Sequence, residues 1–190
     1  KLISEFGEQR RIPLSIDQVP QLYIDALLSA EDENFYSHYG VDPKALLRAA
    51  VRMVQAGGKI QGGGSTITMQ VARNFFLSPE QTYARKFNEI LLALKIEKEL
   101  SKEKIIELYL NKIFLGHRSY GISAASQVYY DKKLEDLTLA QAAMLAGLPK
   151  APSRYNPVIN PARATIRRNY VLGRMLELGY ILEEEYQAGI

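Results

Sequence analysis

The sequence predicts a mainly α-helical protein. Apolar residues recur at three- and four-residue spacing along most of the chain, and nowhere do apolar and polar residues alternate for more than a few positions. Capping and closing residues fall where the periodic runs begin and end, and no internal repeat is present.

Lys1 to Asp17 mixes charge with short apolar runs, and Arg10, Arg11, Pro13 and Ser15 read as a lead-in arm. Pro20 suits a first helical turn, after which Tyr23, Ala26, Leu27 and Ala30 share one stripe. Asp42-Pro43 opens a second helix with an apolar stripe of Leu46, Leu47, Ala50, Val51 and Val54, while Lys44, Arg48 and Arg52 take another face. A glycine loop over 57–66 then leads into a helix capped by Ser65 or Thr66, and Phe75-Phe76-Leu77 reads by default as core, with membrane-contacting surface as the alternative. Ser78-Pro79-Glu80-Gln81 predicts a helix start, with the helix running to about Leu100. Phe87, Ile90, Leu91 and Leu94 are its expected buried stripe, and Arg85, Lys86 and Glu89 lie within one turn on a different side.

Ser101 caps the next helix, with Ile105, Ile106, Leu108, Tyr109 and Leu110 apolar and an end near Asn111. His117 to Gly121 is loop-like and precedes the small-residue run from Ile122 to Gln127. Thr138-Leu139-Ala140-Gln141 opens an alanine-rich helix that Gly147 and Pro149 close. Pro152, Pro157 and Pro161 punctuate an extended crossing, and Arg167-Arg168 begins a last amphipathic helix bearing Tyr170, Val171, Leu172, Met175 and Leu176.

A chain of 190 residues with 47% hydrophobic content can bury a real core, most simply as one domain with a small subdomain. Its net charge of +3 suits an anionic partner. Absence of cysteine excludes disulfides and thiolate metal sites, and with only His38 and His117 a histidine-rich zinc site is not expected. No run approaches the roughly 20 apolar residues of a membrane span, and the first residues of the sequence do not read as a signal peptide. A first residue other than Met reads as a piece of something longer.

Chemistry is expected from Ala30 to Gly40. Glu31 falls near a helix C-terminus whose partial negative charge, with Asp32 and Glu33 alongside, disfavours another anion; Phe35, Tyr36 and Tyr39 are candidates for desolvating it. Such a carboxylate holds a proton more readily than usual, as a general acid or base requires. Taken alone, the pattern favours a solvated acidic helix end by about two to one, since perturbed acids are a minority. The glycine loop is not a P-loop, because Gly64 stands where the lysine before Ser65 would be needed. Arg85, Lys86 and Glu89 are either a surface salt-bridge cluster or a cationic clamp for a pyrophosphate.

Together these segments resemble the peptidoglycan glycosyltransferase domain, glycosyltransferase family 51, of class A penicillin-binding proteins and monofunctional transglycosylases. The matching motifs are Glu31-Asp32-x-x-Phe35-x-x-His38-x-Gly40, Gly64-Ser65-Thr66-Ile67-Thr68-x-Gln70, Arg85-Lys86-x-x-Glu89 continuing through Lys102-x-x-Ile105-x-Glu107-x-Tyr109-Leu110-Asn111, Tyr120-Gly121-Ile122 with Ala124-Ala125, and Arg167-Arg168-x-x-Val171-Leu172. They stand in family order from about Val19 to Met175.

The resemblance implies a lysozyme-like helical head with a smaller membrane-associated jaw. It implies lipid II as substrate, at the periplasmic, outer face of a bacterial cytoplasmic membrane, joined into β-1,4-linked glycan with inversion and loss of polyprenyl pyrophosphate. On that reading Glu31 is the general base and Glu89 the second essential glutamate. Arg85 and Lys86 lie near the pyrophosphate; Ser65, Thr66, Gln70 and Arg73 line the cleft; Asp32, Phe35 and His38 support the Glu31 loop, and all nine are counted as substrate-binding. No tightly bound cofactor is expected, with Mg2+ or Mn2+ at the pyrophosphate site through Glu89 as the one metal option. A C-terminal transpeptidase domain is the expected companion in the parent protein, and nucleic acid is not an expected partner. Met69, a glycine loop one residue longer than usual, His117-Arg118-Ser119 and Asp131 before Lys132 depart from the family pattern. Two other functions compete: a lysozyme-like hydrolase, since a glutamate at a helix end suits that chemistry too, and a non-catalytic module binding lipid-linked pyrophosphates or acidic membranes.

Overall fold

The structure, a computed structural model, describes residues 13–57, 64–77 and 82–190. Arg10, Arg11, most of the glycine loop and the Ser78–Gln81 helix start lie outside the described residues. Helices follow as α1 (Gln21–Glu31), α2 (Pro43–Gln55), α3 (Ile67–Phe76), α4 (Tyr83–Glu99), α5 (Lys102–Lys112), α6 (Ile122–Tyr130), α7 (Leu139–Gly147), α8 (Pro161–Glu177) and α9 (Glu183–Gly189). Among the described residues extended pairing is limited to one antiparallel bridge, Phe114 with Tyr120, so the mainly helical expectation holds. The chain forms two compact units, one from the chain up to Glu31 with Leu110–Ile190, the other from Asp32–Tyr109.

In the first unit α7 packs against α1 and α8, and α8 against α1 and α9. Alanines make this possible: Ala142, Ala143 and Ala146 of α7 are buried with Leu145, facing Tyr23, Ala26 and Leu27 of α1 and Val171, Leu172 and Met175 of α8 as the unit's core. Small side chains let helix axes approach closely. Helix α7 begins with the expected capping box, in which the Thr138 hydroxyl accepts from the Gln141 amide at 3.3 Å and the Gln141 side chain accepts from the Thr138 amide at 3.0 Å. Helix α8 starts six residues before Arg167. Pro161 does not prolong an extended crossing; it occupies the first turn, where its fixed φ and missing N–H cost nothing. Helix α9, unforeseen in the sequence, has Glu183, Glu184 and Glu185 in its first turn, with Glu185 accepting from the Leu182 amide at 2.8 Å.

In the second unit α3 packs on α4. Ile67 to Ala72 are all buried, and Ile105, Ile106 and Tyr109 of α5 have no exposure. Helix α4 reverses the expectation placed on it. Phe87 (61% exposed), Leu91 and Leu94 point outward, Ile90 is half-buried, and the inward residues are Glu89, Ala93 and Ile96. Phe76 is 63% exposed and Phe75 is exposed too, so that pair is surface and not core; Leu47, Val51 and Val54 of α2 are likewise outward. Periodicity identifies residues that share a face but not the medium that face meets. The loop after α1 closes against α4 through Gly40, whose φ of +83° and position, where a Cβ would lie 2.6 Å from the Ala93 carbonyl oxygen, admit no side chain.

Asp42 caps α2, its Oδ1 accepting from the amides of Lys44 at 2.8 Å and Ala45 at 3.1 Å, and its Oδ2 from the Asn34 amide group at 3.2 Å. Burial pushes this carboxyl up, but the donors from Ala45, Asn34 and Lys44 and the charge of Arg48 outweigh it and leave it below its ordinary value. Asp42→Ala is expected to cost about 1 kcal/mol at neutral pH. Because the folded-state value is depressed, the contribution is present above the ordinary carboxylate range and lost as pH falls through the folded value. Urea unfolding of both proteins at neutral and strongly acidic pH measures this; an equal difference at both pH values contradicts it.

Candidate active site

Glu89 has no exposure at all, which is unusual for a carboxylate. It is tolerated because both neighbouring positions of the α4 turn supply cations: Arg85 Nη1 lies 3.1 Å from Oε1 and Lys86 Nζ 3.0 Å from Oε2. An isolated buried charge would cost several kcal/mol, so Glu89 is held in place by the pair it binds and in turn fixes them. Lys86 reaches further, donating to Ser65 Oγ at 2.6 Å just before α3. Thr82 caps α4 by accepting from the Arg85 amide at 3.1 Å, which anchors the turn carrying both cations. The Arg85 Nε donor is buried and has no hydrogen-bond partner among the described residues.

The loop after α1 is tied to α3 at the same end. Asp32 accepts from the Ile67 amide at 2.9 Å and lies 3.0 Å from His38 Nε2. Thr66 Oγ1 donates to the Gly40 carbonyl at 2.6 Å and accepts from the Met69 amide at 3.1 Å, making Thr66 the α3 cap. Phe35 is fully buried, edge-on to His38, with Lys102 Nζ 4.4 Å from its ring centroid. Lys102 also donates to the His38 carbonyl at 2.7 Å and to Glu97 at 2.8 Å, and Glu97 accepts from Thr68 at 2.6 Å. Asp32, Phe35 and His38 are therefore structural supports in this unit, and Lys102, Glu97 and Thr68 extend that support beyond what the sequence reading named. Lys102 stood in a matching motif, but nothing local marked Glu97 or Thr68. Gln70 is buried, with the Tyr109 hydroxyl 3.5 Å from its Oε1, and Arg73 is half-buried. Tyr36 and Tyr39 are exposed and provide no desolvation.

Glu31 belongs to the first unit as the last residue of α1. Its Oε1 lies 3.3 Å from Arg167 Nη2, and both side chains are largely buried. In the sequence Glu31 shows only the helix end and the adjoining carboxylates, and Arg167, 136 positions away, carries no local signal of the pairing. Tyr23, one of the buried α1 residues, has its hydroxyl held far above the ordinary range by burial, with the Glu31 charge adding to the effect.

Each Glu89 oxygen lies within about 3.1 Å of a cation, and no group of three or more His, Asp or Glu side chains able to hold a metal occurs among the described residues.

A family model described as Transglycosylase matches residues 1–176. The chain is 62% identical over 190 residues to penicillin-binding protein 1A of Pseudomonas aeruginosa, covering 100% of this chain and 23% of that protein. It is 56% identical over 189 residues to penicillin-binding protein 1A of Neisseria flavescens, with 99% and 24% covered. A crystal structure of penicillin-binding protein 1A from Haemophilus influenzae aligns with a TM-score of 0.58 and 36% identity over 98% of this chain and 18% of that one. The chain thus spans 23% to 24% of the length of these curated relatives. Motif order, a helical fold and a family match over nearly the whole sequence agree: the chain belongs to the transglycosylase family.

Proposed function

We propose that the chain is a peptidoglycan glycosyltransferase that polymerises lipid II into β-1,4-linked glycan for cell wall synthesis. The observation that carries this reading is the buried Glu89 with Arg85 and Lys86 pinned on it. Glycosyl transfer from a lipid pyrophosphate places its largest electrostatic demand on the leaving group, whose negative charge grows as the anomeric C–O bond breaks. Preorganised cations meet that demand without reorganising during the reaction, and the unpartnered Arg85 Nε is a further donor for phosphate oxygens. Glu31 takes the proton from the acceptor's 4-hydroxyl as that oxygen attacks the anomeric carbon; the pyrophosphate departs with the bonding pair, and configuration inverts. A glycan hydrolase, the competing reaction, releases no pyrophosphate and leaves this clamp without a ligand.

The outward apolar residues of the second unit, among them Leu47, Phe76, Phe87 and Leu91, are proposed to meet the membrane that carries the substrate. Lys44, Arg48 and Arg52 are exposed on α2 and suit anionic headgroups. No described helix is long and apolar enough to cross a membrane. This unit corresponds to the jaw and the first unit to the lysozyme-like head. The setting is the periplasmic face of a bacterial inner membrane, and the penicillin-binding names of the much longer relatives suggest a transpeptidase domain in the same polypeptide.

With lipid II in detergent, Glu31→Gln and Glu89→Gln are each expected to lower polymerisation by about 10²-fold or more. Thermal unfolding separates loss of chemistry from loss of fold, because Glu89→Gln also disrupts a buried pair. Undiminished polymer from folded Glu31→Gln defeats the assignment of the base. In vesicle sedimentation, Phe76→Ser with Phe87→Ser and Leu91→Ser is expected to reduce binding to phosphatidylglycerol-containing membranes while leaving the unfolding midpoint nearly unchanged; equal binding contradicts the membrane face.

A further inference from the structure

Within the first unit, two helices end at one guanidinium supplied by a third. Arg167 of α8 donates through Nε to the carbonyl of Gly147, the last residue of α7, at 3.1 Å. Its Nη2 donates to the Ala30 carbonyl in the last turn of α1 at 3.4 Å and to Glu31 Oε1 at 3.3 Å. The carbonyls at a helix end have no helical partner and carry partial negative charge, so a cation there is favourable, and the planar fork of arginine reaches both carbonyls and the Glu31 carboxylate at once. Tyr170 covers one side, its ring centroid 4.7 Å from the guanidinium carbon, and Tyr155 lies at 6.0 Å. Space for the stem comes from Gly147, where a Cβ would stand 2.9 Å from Arg167 Cγ.

Glu31 by itself occupies an unfavourable place, an anion at a helix C-terminus. Helix α7 carries no charged residue, and the buried Tyr23 of α1 senses the Glu31 charge. We propose that Arg167 is the positioning residue for the Glu31 base, a guanidinium anchored on the ends of α1 and α7 that aims the carboxylate and keeps it ionised. The proposal rests on the reading of Glu31 as base. Arg167 need not touch substrate: aim and charge pass through the ion pair.

The experiment compares lipid II polymerisation by wild type, Arg167→Met, Arg167→Lys and Glu31→Gln across pH, with thermal unfolding of each. Arg167→Met is expected to lower kcat about 10²-fold with KM changed less than about threefold, as displacement of a catalytic group does. It is also expected to move the acid limb of the kcat/KM profile to higher pH, because the anion has lost its counter-charge. Arg167→Lys restores the limb but only part of kcat, having charge without the fork. A folded Arg167→Met with wild-type kcat, or with lowered kcat and an unmoved limb, overturns the proposal and leaves Arg167 a helix cap. If Arg167→Met does not fold, Gly147→Ala decides: it keeps the charge and crowds the stem, and undiminished kcat from this folded variant overturns the proposal. An active Glu31→Gln removes the base assignment itself, whereas an inactive Glu31→Gln beside an unaffected Arg167→Met removes only the role of Arg167.

Discussion

A carboxylate sealed from water inside the second unit dictates much of what surrounds it. Glu89 can stay ionised there only with compensating charge at hydrogen-bonding distance, and α4 provides it one turn earlier through Arg85 and Lys86. The consequence runs outward: Lys86 must lie across to Ser65, Thr82 must hold the start of the helix, and the face of α4 turned toward α3 must be polar at its centre. The apolar residues of α4 are left on the other side, which is why a soluble-looking amphipathic pattern ends as an outward hydrophobic face.

Each proposed catalytic glutamate is governed by an arginine, with opposite ends served. Glu31 has the Arg167 guanidinium on it and remains partly accessible, an arrangement suited to a group that must accept a proton. Glu89 has two cations and no access, so its chemistry is indirect: it sets where positive charge stands. On the proposed function, the same ion-pair physics serves a base in one place and an anion receptor in the other, because burial differs.

Local signals in the sequence were accurate where the physics was local. The end of α1 at Glu31, the Asp42 and Thr138 caps, and the one-turn spacing of Arg85, Lys86 and Glu89 all depend on residues within four positions of each other. What could not be read was the environment of a face. Phe75, Phe76, Phe87 and Leu91 carry the hydrophobicity of core residues, and only the burial of Glu89 reveals that the core lies on the other side of α4. Arg167 was equally out of reach, since its partners at Gly147, Ala30 and Glu31 come together through packing of α8 on α7 and α1. Its presence in a matching motif marked it without explaining it. Pro161 misled because the same residue punctuates loops and starts helices.

The central claim is that Glu89 works by holding cations for a pyrophosphate, and affinity for a lipid pyrophosphate tests it with unambiguous sign. Simple Coulomb reasoning says that removing a negative charge beside an anion site strengthens anion binding. Isothermal titration of farnesyl pyrophosphate into wild type and folded Glu89→Gln decides between that and a positioning role. Weaker binding by Glu89→Gln, despite its more positive site, is the expected result; equal or tighter binding contradicts the claim.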